Sequence, residues 1–298
     1  MEFFPSFFYI SIYIISNMEN IEILIMPDVH GRTFWKDAIE KFPADEYPNL
    51  KIIFLGDYLD PYSSLDGIDN EQAFSNFEEI LVKAREDKRI QLLIGNHDWH
   101  YFVSLDTCRM DYARERQIER LFRDNMELFS LIKTYEINGC KYMFTHAGIS
   151  VGWVYDIENL ADNELINWKT SQDYPVKEED ERWIWLKKVS KLSETHDFDI
   201  LNECLKNYDT TFYSCVPSMI SRERGGWNPH GSMIWADVHE HLYSEDLPGF
   251  YQVFGHTISF PGGDPKAYAV SPMGHNWAML DASQAFVLNS DGDIEAIN

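Results

Sequence analysis

Five short clusters of Asp, Asn and His each follow an apolar run of strand length. Asp28-Val-His30-Gly follows Ile21–Met26, Gly56-Asp57-Tyr-Leu-Asp60 follows residues 52–55, and Gly95-Asn96-His97-Asp follows 91–94. Thr145-His146-Ala-Gly follows 141–144, and Gly255-His256-Thr follows 251–254. Any one cluster has an ordinary explanation, since Asp caps helices and bends loops and a lone imidazole can be a satisfied core group. Five strand ends supplying Asp, Asn or His do not, because helix capping does not call for His. Carboxylate oxygens, an amide oxygen and imidazole nitrogens without a thiolate suit hard or borderline divalent ions such as Mn, Fe or Zn, not a closed structural zinc. Asp28, His30 and Asp57 can hold one ion; Asp57, Asn96, His146 and His256 can hold a second, with Asp57 bridging. Two cations about 3.5–4 Å apart clamp the attacking and leaving oxygens of an in-line displacement at phosphorus and generate hydroxide near neutral pH. His97, beside Asn96, is then the expected acid for the leaving oxygen, and Asp60 the carboxylate that holds its ring.

The elements that must position these residues follow from periodicity. Helices are predicted over 34–42 and 71–89, the second carrying Phe74, Phe77, Ile80 and Leu81 on one face. Strand, helix, strand, helix, strand implies a parallel α/β sheet, in which ligands sit beyond the carboxyl ends of the strands. Asn138-Gly139 predicts a hairpin between residues 135–137 and 141–144. Strands over 233–236, 251–254, 277–280 and 285–288 close a second sheet. Residues 155–225, with Trp168, Trp183, Trp185 and a carboxylate run at 178–181, read as a helical cap inserted into a single domain of residues 18–298. Its indoles read as core, not as a base-stacking platform. Gly148-Ile-Ser-Val-Gly152 has the spacing of an esterase nucleophile elbow, but His146 is already among the metal donors and no Asp followed by His stands out downstream. His239 and His241, two apart on a helix, point to different sides and read as a solvated face.

Composition bounds the partners. Twenty-five Lys and Arg against 49 Asp and Glu in 298 residues give a net charge of −24, which repels a polyphosphate backbone and excludes nonspecific nucleic-acid binding. Four cysteines without C-x-x-C spacing indicate a reducing, cytoplasmic setting. Residues 1–17 are apolar but carry Glu2 and no cleavage site, and fall short of the roughly 20 residues of a membrane span. They read as an over-extended start or a mobile tail, not as a membrane anchor.

In this order the five motifs resemble those of the calcineurin-like metallophosphoesterase superfamily. The Thr-His-Ala-Gly form and the single histidine after Gly255 are most similar to the branch holding the Ser/Thr phosphoprotein phosphatases and the symmetrical diadenosine tetraphosphate hydrolases. The match spans residues 21–281, with a weaker echo in Ile234-Trp-Ala-Asp237. The resemblance implies a four-layer α/β/β/α sandwich, the two-metal site above, His97 with Asp60 as the acid pair, and a phosphorylated substrate: phosphoprotein, small phosphoester or nucleotide. The expected function is a metal-dependent phosphatase acting by in-line attack of a metal-bridging hydroxide. Hydrolysis of a dinucleoside polyphosphate is the second reading and a catalytically silent phosphate-binding scaffold the third. Two departures stand out. Pro61 occupies the position where that branch has a phosphate-gripping Arg, which leaves Arg32, Arg222 and Arg224 as candidates for bidentate phosphate contacts. Ile258 stands at the second His of the superfamily's Gly-His-x-His ending.

Overall fold

Along β1 (Ile21–Met26) alternate side chains face opposite ways: Ile23 and Ile25 enter one buried cluster, Leu24 and Met26 another. β2 (Lys51–Phe54) repeats the pattern, with Ile53 in the first cluster and Ile52 and Phe54 in the second. Strands apolar on both faces must be covered on both. The computed structural model describes residues 20–103, 108–170, 180–209, 211–257 and 267–297; the apolar segment 1–17 and the Ile258 position lie outside the described residues. β1, β2, β3 (Ile90–Leu93) and β4 (Phe129–Ser130) pair in parallel. A second sheet contains β5 (Lys133–Ile137), β6 (Cys140–Phe144), β7 (Tyr251–Phe254), β8 (Ala269–Val270) and β9 (Trp277–Met279), ordered β5-β6-β7-β9-β8 with β6, β7 and β9 parallel. The chain then returns to the first sheet as β10 (Ala285–Asn289) and β11 (Ile294–Ile297), giving the order β11-β10-β1-β2-β3-β4.

The inner faces meet: Ile23, Ile25, Ile53, Leu55 and Leu93 share one core with Phe144, Val253, Ala278 and Leu280. Helices cover the outer faces. On the first sheet these include α1 (Phe34–Glu40) and, beyond the short α2 (Ser63–Asp66), α3 (Asn70–Glu86). α3 begins where a capping box closes: Asp69 accepts the Gln72 amide and Gln72 accepts the Asp69 amide. It buries Phe74, Phe77, Ile80 and Leu81. α4 (Asn96–Val103) and α5 (Glu115–Arg123) follow β3. Between β6 and β7 run α6 (Val151–Thr170), α7 (Glu181–Val189), three short helices, and α11 (Val238–Leu242), with α8, α9 and α10 at Leu192–Thr195, Glu203–Lys206 and Thr211–Cys215. Val238 and Leu242 pack on Phe254, Trp277 and Met279 of the second sheet, completing helix, sheet, sheet, helix.

Sequence expectation and structure differ in places: the strand at 285–288, expected to close the second sheet, instead pairs antiparallel with β1 in the first. Residues 233–236 form a turn, not a strand: the Trp235 and Ala236 amides both donate to the Ser232 carbonyl at 2.9 Å. Met233 and Ile234 are fully buried there, and a four-residue apolar run carries no period that separates a buried turn from a strand. The Asn138-Gly139 hairpin forms as expected, both residues at positive φ. No described helix is long and apolar enough to cross a membrane.

Candidate metal centre

The strand ends turn sharply. His30, Asp57, Asp60 and His256 all sit at positive φ, between 45° and 69°, which costs a non-glycine residue roughly 1–2 kcal/mol each and persists only where the surroundings enforce it. The neighbouring glycines are required by close approach. A Cβ on Gly95 would lie 2.1 Å from Asp57 Oδ1, and one on Gly255 would lie 2.0 Å from Asp28 Oδ1. The carboxylates therefore rest directly against bare backbone. Asp98, fully buried, braces the same loops: it accepts the amides of Asp57 (2.7 Å), Tyr58 (3.0 Å) and Gly95 (2.9 Å). Burial, then the charge of Asp57, pushes the Asp98 carboxyl well up.

β1, β2 and β3 deliver Asp28, His30, Asp57 and Asn96; β6 and β7 deliver His146 and His256. All six converge. The Asp28, His30 and Asp57 donor atoms lie within 4.8 Å of one another. His30 Nδ1 sits 2.8 Å from the Leu59 carbonyl and His146 Nδ1 sits 2.9 Å from that of Leu55. A carbonyl only accepts, so both Nδ1 atoms carry the proton and both Nε2 atoms present lone pairs. These lone pairs face Asp57 Oδ2, at 3.4 Å from His30 and 3.5 Å from His146. His146 Nε2 also lies 2.9 Å from Asn96 Oδ1 and 3.1 Å from His256 Nδ1. His256 donates its amide to Asp28 Oδ1 at 3.0 Å, while its buried Nε2 has no hydrogen-bond partner among the described residues.

Acceptors thus gather with too few protons between them. Burial, and then the charge of His97, lowers the pKa of His30; burial, and then Arg224, lowers that of His256. Neutral imidazoles are the form that ligates metal. The Asp57 carboxyl is pushed well up, first by burial and then by Asp28. Divalent cations would resolve all of these at once, and the donor set fits them: Asp28, His30 and Asp57 could hold one ion, and Asp57, Asn96, His146 and His256 could hold a second.

Beside them, His97 Nδ1 lies 2.9 Å from Asp60 Oδ2, and His100 Nε2 lies 3.1 Å from the same oxygen. Tyr101 donates its hydroxyl to Asp60 Oδ1 at 2.7 Å. Burial would raise the Asp60 carboxyl, but the hydrogen bonds from His100 and His97 outweigh it and hold the group below the usual carboxylate range. Burial lowers the pKa of His97, with Asp60 opposing. Asp60, His97 and His100 are also close enough to hold a cation. There, unlike at Asp57, the donors and acceptors already match.

Sequence reasoning assigned no role to Asp98, His100, Tyr101, Arg109 or Asp281. His100 stands three residues after His97 on α4, a same-face spacing that could have found it. Asp281 follows an apolar strand, like the other clusters; burial and then Asp28 push its carboxyl well up. Arg109 carried no local signal. It donates from Nη1 to the Asp60 carbonyl at 2.7 Å, lies with Nη2 2.9 Å from His97 Nε2, and stacks 3.5 Å from the Tyr62 ring centroid.

The three expected phosphate-binding arginines fare differently. Arg32 directs Nη1 toward the Asp28 carbonyl at 3.4 Å but commits Nε and Nη2 to Asp66 at 3.0 and 2.8 Å. Arg224 reaches Thr257, next to His256, and pairs with Asp237 at 2.8 Å. Arg222 is exposed, and no contact among the described residues brings it to the centre. Ser150 is buried, its Oγ accepting the Trp153 amide at 3.2 Å as an N-cap does. His239 is exposed as expected, but His241 is buried and bonds the Ala147 carbonyl at 3.1 Å, because α11 turns it onto Phe254 and Trp277. Trp183 and Trp185 are buried in the cap, 1% and 3% exposed.

No curated protein matches the chain. Among solved structures, a protein serine/threonine phosphatase from Saccharomyces cerevisiae, described as similar to the human phosphatase PP5, aligns over 94% of this chain and 80% of its own at 12% identity with a TM-score of 0.43. That likeness is too slight to place the chain in a branch. Residues 21–259, which run from the start of β1 past His256, match the calcineurin-like phosphoesterase family, and the chain belongs to it.

Proposed function

We propose that the protein is a binuclear metal-dependent phosphatase that hydrolyses a phosphate ester by in-line displacement. The observation that carries this reading is Asp57 Oδ2 facing two imidazole lone pairs whose partner nitrogens are committed to carbonyls. When bound, two divalent ions supply a water of lowered pKa and neutralise the phosphoryl oxygens. The chain's own residues do the rest. His97, its Nδ1 held by Asp60 and its Nε2 2.9 Å from Arg109 Nη2, is in its doubly protonated form the proton donor for the leaving oxygen, while His100 and Tyr101 fix Asp60. Manganese is the ion to test first, because the donors are carboxylate, amide oxygen and imidazole.

The test is turnover by the manganese-loaded protein of a phosphopeptide, p-nitrophenyl phosphate and diadenosine tetraphosphate. Ester hydrolysis that chelation abolishes and manganese restores supports the proposal. Cleavage of the dinucleotide alone would favour the second reading, and no turnover on any substrate would leave a phosphate-binding scaffold.

A further inference from the structure

A guanidinium that no carboxylate already neutralises is the group best suited to bind a phosphoryl oxygen at this centre. The arginines near the centre differ in how they are held. Arg32 is paired with Asp66 and Arg224 with Asp237. Arg109 has no carboxylate in ion-pair contact among the described residues, in a chain whose net charge is −24. Its guanidinium is fixed on three sides: Nη1 donates to the carbonyl of Asp60, the ring of Tyr62 lies under its plane, and Nη2 rests 2.9 Å from His97 Nε2. The backbone that delivers it sits at φ 70°, unusual for a non-glycine residue. The side chain is half-buried, not sealed in the core.

We infer that Arg109 binds the phosphoryl group of the substrate. Two of its contacts are anchors: the Asp60 carbonyl and the Tyr62 face set the plane of the fork without neutralising it. The third is exchangeable. A phosphoryl oxygen is a stronger acceptor for Nη2 than a neutral imidazole nitrogen, because the charge-assisted bond is shorter and about twice as strong. Moving that arm onto the phosphate uncovers His97 Nε2, the atom facing the leaving oxygen. Tyr62 also packs edge-on against His30 at 5.0 Å, so the anchor of the guanidinium is tied to a metal donor. The inference rests on the phosphoesterase reading for its choice of ligand.

The probe is inorganic phosphate, titrated calorimetrically into the manganese-loaded protein, with metal content measured by mass spectrometry and folding by melting temperature. Arg109→Ala should weaken phosphate binding about 10- to 100-fold, the worth of a hydrogen bond to a charged group. Metals per chain and melting temperature should hold. Arg109→Lys, which keeps a point charge but loses the planar fork, should recover only part of the affinity. Arg116→Ala, on the exposed side of α5, should bind phosphate as the parent does. Parental phosphate affinity in Arg109→Ala overturns the inference; if that variant does not fold, parental affinity in Arg109→Lys overturns it. Failure of the function itself looks different: a parent protein that hydrolyses no ester yet binds phosphate through Arg109 ends the phosphatase reading and leaves this one standing.

Discussion

Asp57 divides its carboxylate, Oδ1 accepting the His97 amide at 2.9 Å and Oδ2 facing the rings of His30 and His146. An amide at this position could donate to either ring without any cation. Asp57→Asn should therefore abolish binding of both metals and activity, yet stabilise the metal-free protein by about 1–3 kcal/mol by removing a poorly compensated buried carboxylate. Metal analysis and calorimetry of the apo variant check both halves, and two ions retained per chain would contradict the bridging role. His97→Ala should keep the metals and slow turnover roughly 10²–10⁴-fold, read as kcat on p-nitrophenyl phosphate. The six candidate metal donors were legible because each breaks an apolar strand with a polar residue. Asp98 and Arg109 were not: the amides that Asp98 accepts come from residues 57, 58 and 95, and the partners of Arg109 are Asp60, Tyr62 and His97. Such roles are defined only once distant loops meet.

At the scale of elements, strands flanked by glycine and helices with clear apolar spacing could be read directly, as β1 to β3 and α3 were. The two-residue β4 and β8 could not, since neither holds enough residues to show alternation. The run 233–236 misled for the same reason. α11 illustrates what a short helix hides: its sequence suggests a wet face, but packing against Phe254 and Trp277 drives His241 inside, and burial lowers its pKa to about 4. In the unfolded chain the ring titrates near 6.5. Above that pH both states are neutral and the contribution is intact; as pH falls toward 4 the unfolded state takes up the proton first, and stability is lost. The loss should approach about 3 kcal/mol by pH 4. Unfolding free energies between pH 7 and 4.5 check this, and His241→Gln, which keeps a donor for the Ala147 carbonyl, should flatten the dependence.

For the whole molecule, a charge of −24 sets the long-range field in which any substrate arrives. Phosphopeptides with basic flanks should be turned over with higher kcat/KM than acidic ones. The ratio should fall as ionic strength rises from about 0.05 to 0.5 M, where screening shortens from over 10 Å to a few ångströms. A ratio insensitive to salt would assign the preference to contacts instead. Strand order and the hairpin led to a parallel sheet with a second sheet behind it, the four-layer α/β/β/α arrangement came from the family resemblance, and the return of 285–288 to the first sheet as β10 was missed because it depends on long-range pairing with β1. That return has a mechanical meaning. Asp28, His30, Asp57 and Asn96 ride on one sheet and His146 and His256 on the other, so a cation shared between them would be a clasp across the seam of the sandwich. Slippage of one half past the other would break the catalytic geometry long before it unfolded the protein.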